Sequence, residues 1–186
     1  RASNTTEQNS EVLDKIEEEI HDYEVQNKTG NHVLDTLLSA KSITCLNQSI
    51  LLTTVIHGEL LSFMDVIDIC SIFGNALDNA IEYEKTVSDP DKRMINLTVI
   101  EKNRAFIVIR CENYYEGSDA MTLEDKLPKT TKQDKSLHGY GLRSIQHAVH
   151  KYDGEMDIEA VPGHDIVTTI DAELQNFGQK LMENKV

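Results

Sequence analysis

Positive charge is scarce in this chain. Eighteen lysines and arginines stand against 32 aspartates and glutamates, a formal net charge of −14 over 186 residues. A surface of that sign repels phosphate backbones and anionic headgroups, which argues against nucleic acid and acidic membranes as partners. An anionic ligand would need a local positive field from backbone N–H groups, a metal or a few lysines. Cysteine is scarce too. Cys45, Cys70 and Cys111 are isolated and odd in number, with no CxxC pair and no Cys/His cluster. Neither a disulfide framework nor a zinc site is indicated, and a reducing cytosolic setting fits. No apolar run reaches the roughly 20 residues of a membrane-spanning helix, no secretory leader is visible, and no segment repeats. The length fits one domain with an appendage.

What is present is an orderly alternation of periodic segments. After a polar start, "EVLDKIEEEIHDYEVQ" from Glu11 reads as a helix with a thin apolar stripe of Val12, Leu13, Ile16, Ile20 and Tyr23. Such a stripe suits a two-helix contact. "KTGN" breaks it, and Asn31 caps a second helix with Val33, Leu34, Leu37 and Leu38 inward. "SILLTTVIHG" is a short β-rich run, and "MDVIDICSIFGNALDNAIEYEKTV" is a strong helix. "MINLTVIEKNRAFIVIRCEN" reads as two strands with a hairpin at "EKNR". Residues 114–138 are irregular and lysine-rich. A helix, a strand "GEMDIEAV", a turn "PGHD" and a last strand "IVTTIDAEL" follow. Strands and helices segregate instead of alternating in βαβ order. That predicts an α+β fold, a two-layer sandwich whose mixed, mostly antiparallel sheet is packed on one face by helices. The expected division is a helical linker over 1–30, a globular domain over 31–174 and a polar tail over 175–186.

The strong helix carries an unusual polar face. At 100° per residue, Ile69, Phe73, Ala76 and Ala80 fall on one side, and Asp68, Ser71, Asn75, Asn79 and Glu82 on the other. The polar side could be a solvated face. Asn is a weak helix former, however, because its amide competes for the backbone. Two Asn at i and i+4 point the same way, and their carbonyl oxygens make a plausible pair of ligands for a hard cation such as magnesium. A second anomaly is "LHGYGLRSIQHAVHKYDG", where Gly139 and Gly141 sit directly before an amphipathic helix. Turn, helix start and phosphate site are all possible reasons. A helix N-terminus offers free N–H groups and the positive end of the dipole, and glycine lets the backbone approach a ligand.

With these segments in place, the chain resembles the GHKL ATP-binding superfamily, and within it the sensor histidine kinases. "FGNALDNAIEYE" is similar to the N box and "LHGYGLRSIQHAVHKYDG" to the G2 box. "TGNHVLDTLLSAKS" and "LPKTTK" bring it nearest to the Agr-type peptide quorum-sensing kinases. The resemblance covers roughly residues 28–173. It implies an α/β sandwich that holds ATP and magnesium between the N-box helix and a lid. Asn79 would ligand magnesium with Asn75 assisting. Gly139 and Gly141, with Tyr140 and Leu142 between and after them, would present backbone to the phosphates. The lid would span about 115–138, with Thr130, Thr131 and Lys132 closing over the phosphates and His138 beside them. Asn113 would stand where the family's adenine-reading Asp stands, in "RCENYYEG" instead of Asp-x-Gly-x-Gly.

The superfamily contains hydrolases as well as kinases. By the same resemblance, the hydrolases carry a Glu base one turn before the magnesium Asn. Here that position is Asn75, which cannot accept a proton, so transfer to a protein histidine is favoured over attack by water. His21, in "IHDYE", lies only ten residues before Asn31, which leaves no room for a second hairpin helix. The acceptor histidine is therefore expected upstream, on dimerisation helices of a membrane-anchored, homodimeric kinase whose cytoplasmic domain this is. A response regulator would act downstream. The competing expectation is a degenerate nucleotide-binding module with a regulatory or assembly role and no phosphotransfer. It rests on the missing glycines after Asn113 and on Glu82, where many family members carry a cation.

Overall fold

A polar side chain starts the first helix. Asn31 has extended backbone, φ −126° and ψ 108°, and its side chain accepts from the Leu34 N–H, so that α1 runs His32–Asn47. The computed structural model describes residues 28–103, 106–115, 123–124, 127–128, 140–160 and 168–175. The predicted linker helix and His21 lie outside them. Just before the cap, Thr29 donates its N–H and its hydroxyl to Asp35 Oδ1, at 2.8 and 2.6 Å. Its carbonyl accepts the Gly58 N–H at 2.7 Å. A Cβ on Gly58 would lie 2.4 Å from Thr29 Oγ1, so glycine alone permits this approach.

Strand β1 (Leu51–Ile56) leads through helix α2 (Val66–Glu84) to β2 (Met94–Lys102), and β3 (Phe106–Asn113) follows. After β3 a two-residue pair, β4 (Leu123–Glu124) and β5 (Leu127–Pro128), forms a separate small sheet. Helix α3 (Tyr140–His150), β6 (Glu155–Ala160) and β7 (Thr168–Gln175) complete the described chain. The main sheet has five strands in the order β1-β2-β3-β7-β6. β1 runs parallel to β2, and the other pairings are antiparallel. This is the α+β sandwich expected, with three corrections: the β4–β5 pair falls within residues 114–138, read from the sequence as irregular, Gly141 lies inside α3 and not before it, and the first strands are wound differently. β1, α2 and β2 form a βαβ crossover, which the segregation of strands and helices did not predict. β1 is an edge strand whose residues alternate between exposed and half-buried. Its pattern marks it as a strand but does not say which neighbour it pairs with.

Alternate residues of β2 are buried, Ile95, Leu97 and Val99, and so are Ile107, Ile109 and Cys111 of β3 and Met156 and Ile158 of β6. The helices meet this one face. Leu34 and Leu38 come from α1 and Ile145 and Val149 from α3. α2 supplies Ile69, Phe73, Ala76 and Ala80 as predicted, and also Ile72, Leu77 and Ile81, a wider stripe than the four predicted positions.

The start of α2 is pinned to the end of α3 by polar groups. The Tyr152 hydroxyl donates to Asp68 Oδ2 at 2.6 Å and accepts the Asp65 N–H at 2.9 Å. Lys151 reaches Asp68 Oδ2 at 2.7 Å and also pairs with Asp65. The Lys151 ammonium, and after it the Tyr152 hydroxyl, hold the Asp68 carboxyl below the usual aspartate range. That contribution is present at neutral pH and is lost as pH falls through the folded Asp68 value. Tyr152→Phe removes both hydroxyl bonds and should cost about 1–2 kcal/mol. The reading is a lower urea midpoint with unchanged slope, and an unmoved midpoint would show that the pin contributes nothing.

Candidate functional site

An asparagine and a glycine meet where α2 packs on α3, and a second asparagine lies one turn along α2. Asn75 and Asn79 are both half-buried on α2. Asn75 Nδ2 donates to the Ser71 carbonyl at 2.6 Å, a back-bond to the preceding turn. With its nitrogen so used, the Asn75 carbonyl is turned to α3. There Gly141 closes on it: a Cβ on Gly141 would lie 3.2 Å from Asn75 Oδ1 and 3.6 Å from its Cβ. Gly141 is the second residue of α3, and Gly30 is the only described glycine with positive φ. The turn reading of Gly141 therefore gives way to close packing. Its missing side chain lets the first turn of α3 come up against the Asn75 amide.

Asn79 lies one turn further along α2. Its Nδ2 is buried and has no hydrogen-bond partner among the described residues. Buried side-chain amides are nearly always bonded, so an idle one calls for a ligand or another explanation. Lys41 pairs with Asp78 at 2.5 Å and ties α1 to the same stretch of α2. Among the described residues no group of three or more His, Cys, Asp or Glu side chains could hold a metal. A cation here would depend on amide carbonyls and on oxygens brought by the ligand itself. Of the neighbouring candidates, Tyr140 is 66 % exposed, and Leu142 is half-buried and packed against the core. Thr130, Thr131, Lys132, His138 and Gly139 lie outside the described residues.

Asn113 ends β3 and is buried, with 3 % of its surface exposed. It is not a bare pocket residue: its Nδ2 donates to Glu84 Oε1 at 3.2 Å and to the Tyr114 carbonyl at 3.0 Å. Glu84, on the last turn of α2, is 0 % exposed, and its Oε2 accepts the Met94 N–H at 3.0 Å. Burial pushes its carboxyl up to about 7, against the pull of the Asn113, Met94 and Tyr114 hydrogen bonds and the Arg93 charge. Arg93 itself is committed to the Val87 carbonyl, at 2.9 and 3.2 Å, and to the Gln48 carbonyl at 3.1 Å. The sequence reading passed over Glu84. The signal was available, because Glu84 follows Phe73, Leu77 and Ala80 on the apolar stripe, and a carboxyl on a core-facing stripe needs a partner.

Residues 64–171 match the family described as GHKL domain, more than half of the chain. The chain belongs to the GHKL family. The matched stretch of this GHKL domain holds Asn75, Asn79, Glu84, Asn113 and Gly141, so the whole candidate site lies within it. Among solved structures, the fold is shared with the mycobacterial sensor histidine kinase MprB at 15% identity and a TM-score of 0.52, over 77% of this chain and 93% of that one. It is shared also with the catalytic domain of the histidine kinase ThkA, at 16% identity and a TM-score of 0.54, over 81% of this chain and 93% of that one. At such identities the likeness is one of fold. No curated protein matches the chain.

Proposed function

We propose that this GHKL domain binds ATP with magnesium and is the catalytic part of a sensor histidine kinase. It would pass the γ-phosphoryl group to a histidine on dimerisation helices of the same homodimeric, membrane-anchored protein, on the cytoplasmic side, with a response regulator next in line. The observation that carries the reading is the idle, buried Nδ2 of Asn79, one turn from an Asn75 carbonyl against which α3 is closely packed. An amide whose nitrogen has no partner among the described residues can turn its oxygen to a ligand. Asn79 and Asn75 thus fit a magnesium ion that keeps water and phosphate oxygens as its other ligands. Bound there, the ion would neutralise phosphate charge. The first turn of α3, with its free N–H groups and the positive end of the helix dipole, is the natural seat for the phosphates themselves. Asn113 would meet the base. Asn75 is no base, so the site is suited to transfer and not to the activation of water. The "LPKTTK" stretch supports placing the kinase near the Agr-type quorum-sensing group.

Calorimetry with and without magnesium tests the metal site. Asn79→Ala should weaken ATP binding in magnesium tenfold or more, about 1.4 kcal/mol, and change binding little in a chelator. Wild-type affinity in magnesium would remove Asn79 from the site. The second reading, a nucleotide-binding module without phosphotransfer, is favoured by the burial of Asn113. Transfer of labelled phosphate to a supplied histidine-bearing hairpin decides between the two.

A further inference from the structure

A carboxamide has a donating side and an accepting side, and the protein must fix which of them a ligand meets. At Asn113 two protein acceptors bear on it, the Glu84 carboxyl and the Tyr114 carbonyl. Both hydrogens of Asn113 Nδ2 are spent, on Glu84 Oε1 and on the Tyr114 carbonyl. The second oxygen of Glu84 is held by the Met94 N–H, so the carboxyl is clamped between the first residue of β2 and the last of β3. A carboxylate has no proton to donate, and therefore it can grip only the NH2 side of the amide. The carbonyl side of Asn113 is turned away from Glu84, and that is the side a ligand would meet. Glu84 and Asn113 are 29 residues apart in sequence and are brought together by the packing of the last turn of α2 on the sheet.

We propose that Glu84 is a positioning residue for base selectivity: by holding the NH2 side of Asn113 it presents an acceptor to the purine, and so selects a nucleotide with an amino group at the six-position over one with an oxo group. The inference rests on the reading of Asn113 as the residue that meets the base. An exocyclic amino group donates to that carbonyl. An oxo group brings a second acceptor, and two acceptors left facing each other in a buried site cost binding. A neutral Gln in place of Glu84 could accept the Met94 N–H through its own carbonyl while its NH2 donates to Asn113. Asn113 would then be pulled two ways, its NH2 side held by the Tyr114 carbonyl and its oxygen called for by the Gln NH2, and the preference would weaken.

The test compares ATP with inosine triphosphate, which carries an oxo group where ATP has the amino group, on the full chain. Wild type should prefer ATP by about tenfold or more, and Glu84→Gln should compress the ratio to within about threefold. The double variant Glu84→Gln with Asn113→Asp should restore it, because Asp accepts from Gln on one side and still offers an acceptor on the other. Glu84→Gln that weakens both nucleotides equally, or leaves the ratio unchanged, overturns the proposal. So does a wild type that binds the two equally well. A wild type that binds neither overturns the nucleotide-site reading beneath it.

A measurement without substitution guards against a variant that does not fold. The groups acting on Glu84 are the Asn113 amide, the Met94 and Tyr114 N–H groups and the Arg93 guanidinium, and its carboxyl, a carboxylate above about pH 7, takes up its proton as pH falls through that value. Once protonated it can donate to the Asn113 carbonyl. The wild-type ratio should therefore fall between about pH 8 and about pH 6. A flat ratio across that range counts against the proposal.

Discussion

Glu84→Gln should make the domain more stable at about pH 8, by about 2–3 kcal/mol, and should leave it nearly unchanged at about pH 5. The carboxyl is pushed from an ordinary 4.5 up to about 7 by burial. Folding thus favours its protonated form. The contribution of the protonated group is fully present below the unfolded value, declines as pH rises, and is lost once pH passes the folded value near 7. At about 1.4 kcal/mol per pH unit the whole change is about 3 kcal/mol. Gln has the shape of the protonated acid and does not titrate, so it escapes the loss. Its carbonyl can keep the Met94 N–H, and its NH2 can keep a bond to Asn113. Urea unfolding of both proteins across the range checks this, because other titrating groups cancel in the difference. A constant difference between the two would mean that Glu84 does not titrate near neutrality. The same variant is expected to lose base selectivity while it gains stability. A group that merely filled the core would not separate those two effects.

That Glu84 went unread while its neighbours on the helix did not shows where sequence reasoning reaches. The stripe of Ile69, Phe73, Ala76 and Ala80 was legible because apolar burial follows a period, and the Asn31 cap was legible because it depends on residues three apart. The mixed sheet was legible as a class, yet the parallel pairing of β1 with β2 was not, since a strand's own pattern carries no information about its partner. Asn75 and Asn79 stood out because asparagine is a poor helix former and both lie in mid-helix. What each amide does was not legible. The idle nitrogen of Asn79 and the back-bond of Asn75 to Ser71 are set by side-chain orientations that residue type and spacing do not specify. The Glu84–Asn113 pair joins residues from two elements, and a buried carboxyl in a helical stretch rich in glutamate looks like any solvated one until its stripe is followed to the last turn. The asparagine at the end of β3 was legible as a candidate, but only its protein partners show which side of its amide is held.

Gly141 answers to a substitution series. Gly141→Ala should leave apo stability within about 1 kcal/mol of wild type. Alanine is the better helix former by about that much, and the gain offsets a Cβ placed 3.2 Å from Asn75 Oδ1. Nucleotide binding should respond differently. The Asn75 amide is tethered by its nitrogen to the Ser71 carbonyl, so it cannot swing away freely, and the new methyl must displace either the amide or the first turn of α3. Either movement shifts the Asn75 carbonyl relative to the backbone of the first turn of α3, the two groups to which the proposed function gives metal and phosphate. ATP affinity in magnesium should fall tenfold or more with Ala. With Gly141→Leu it should fall a hundredfold or more, about 2.7 kcal/mol, together with a loss of about 1–3 kcal/mol in apo stability from overpacking. Melting temperature of the free protein and ATP affinity, measured as a pair for each variant, separate the two roles. If Ala lowers the melting temperature and leaves affinity intact, the close approach serves only the packing of α2 on α3. If affinity falls while the fold holds, Gly141 is kept small so that α3 can present its first turn to a ligand.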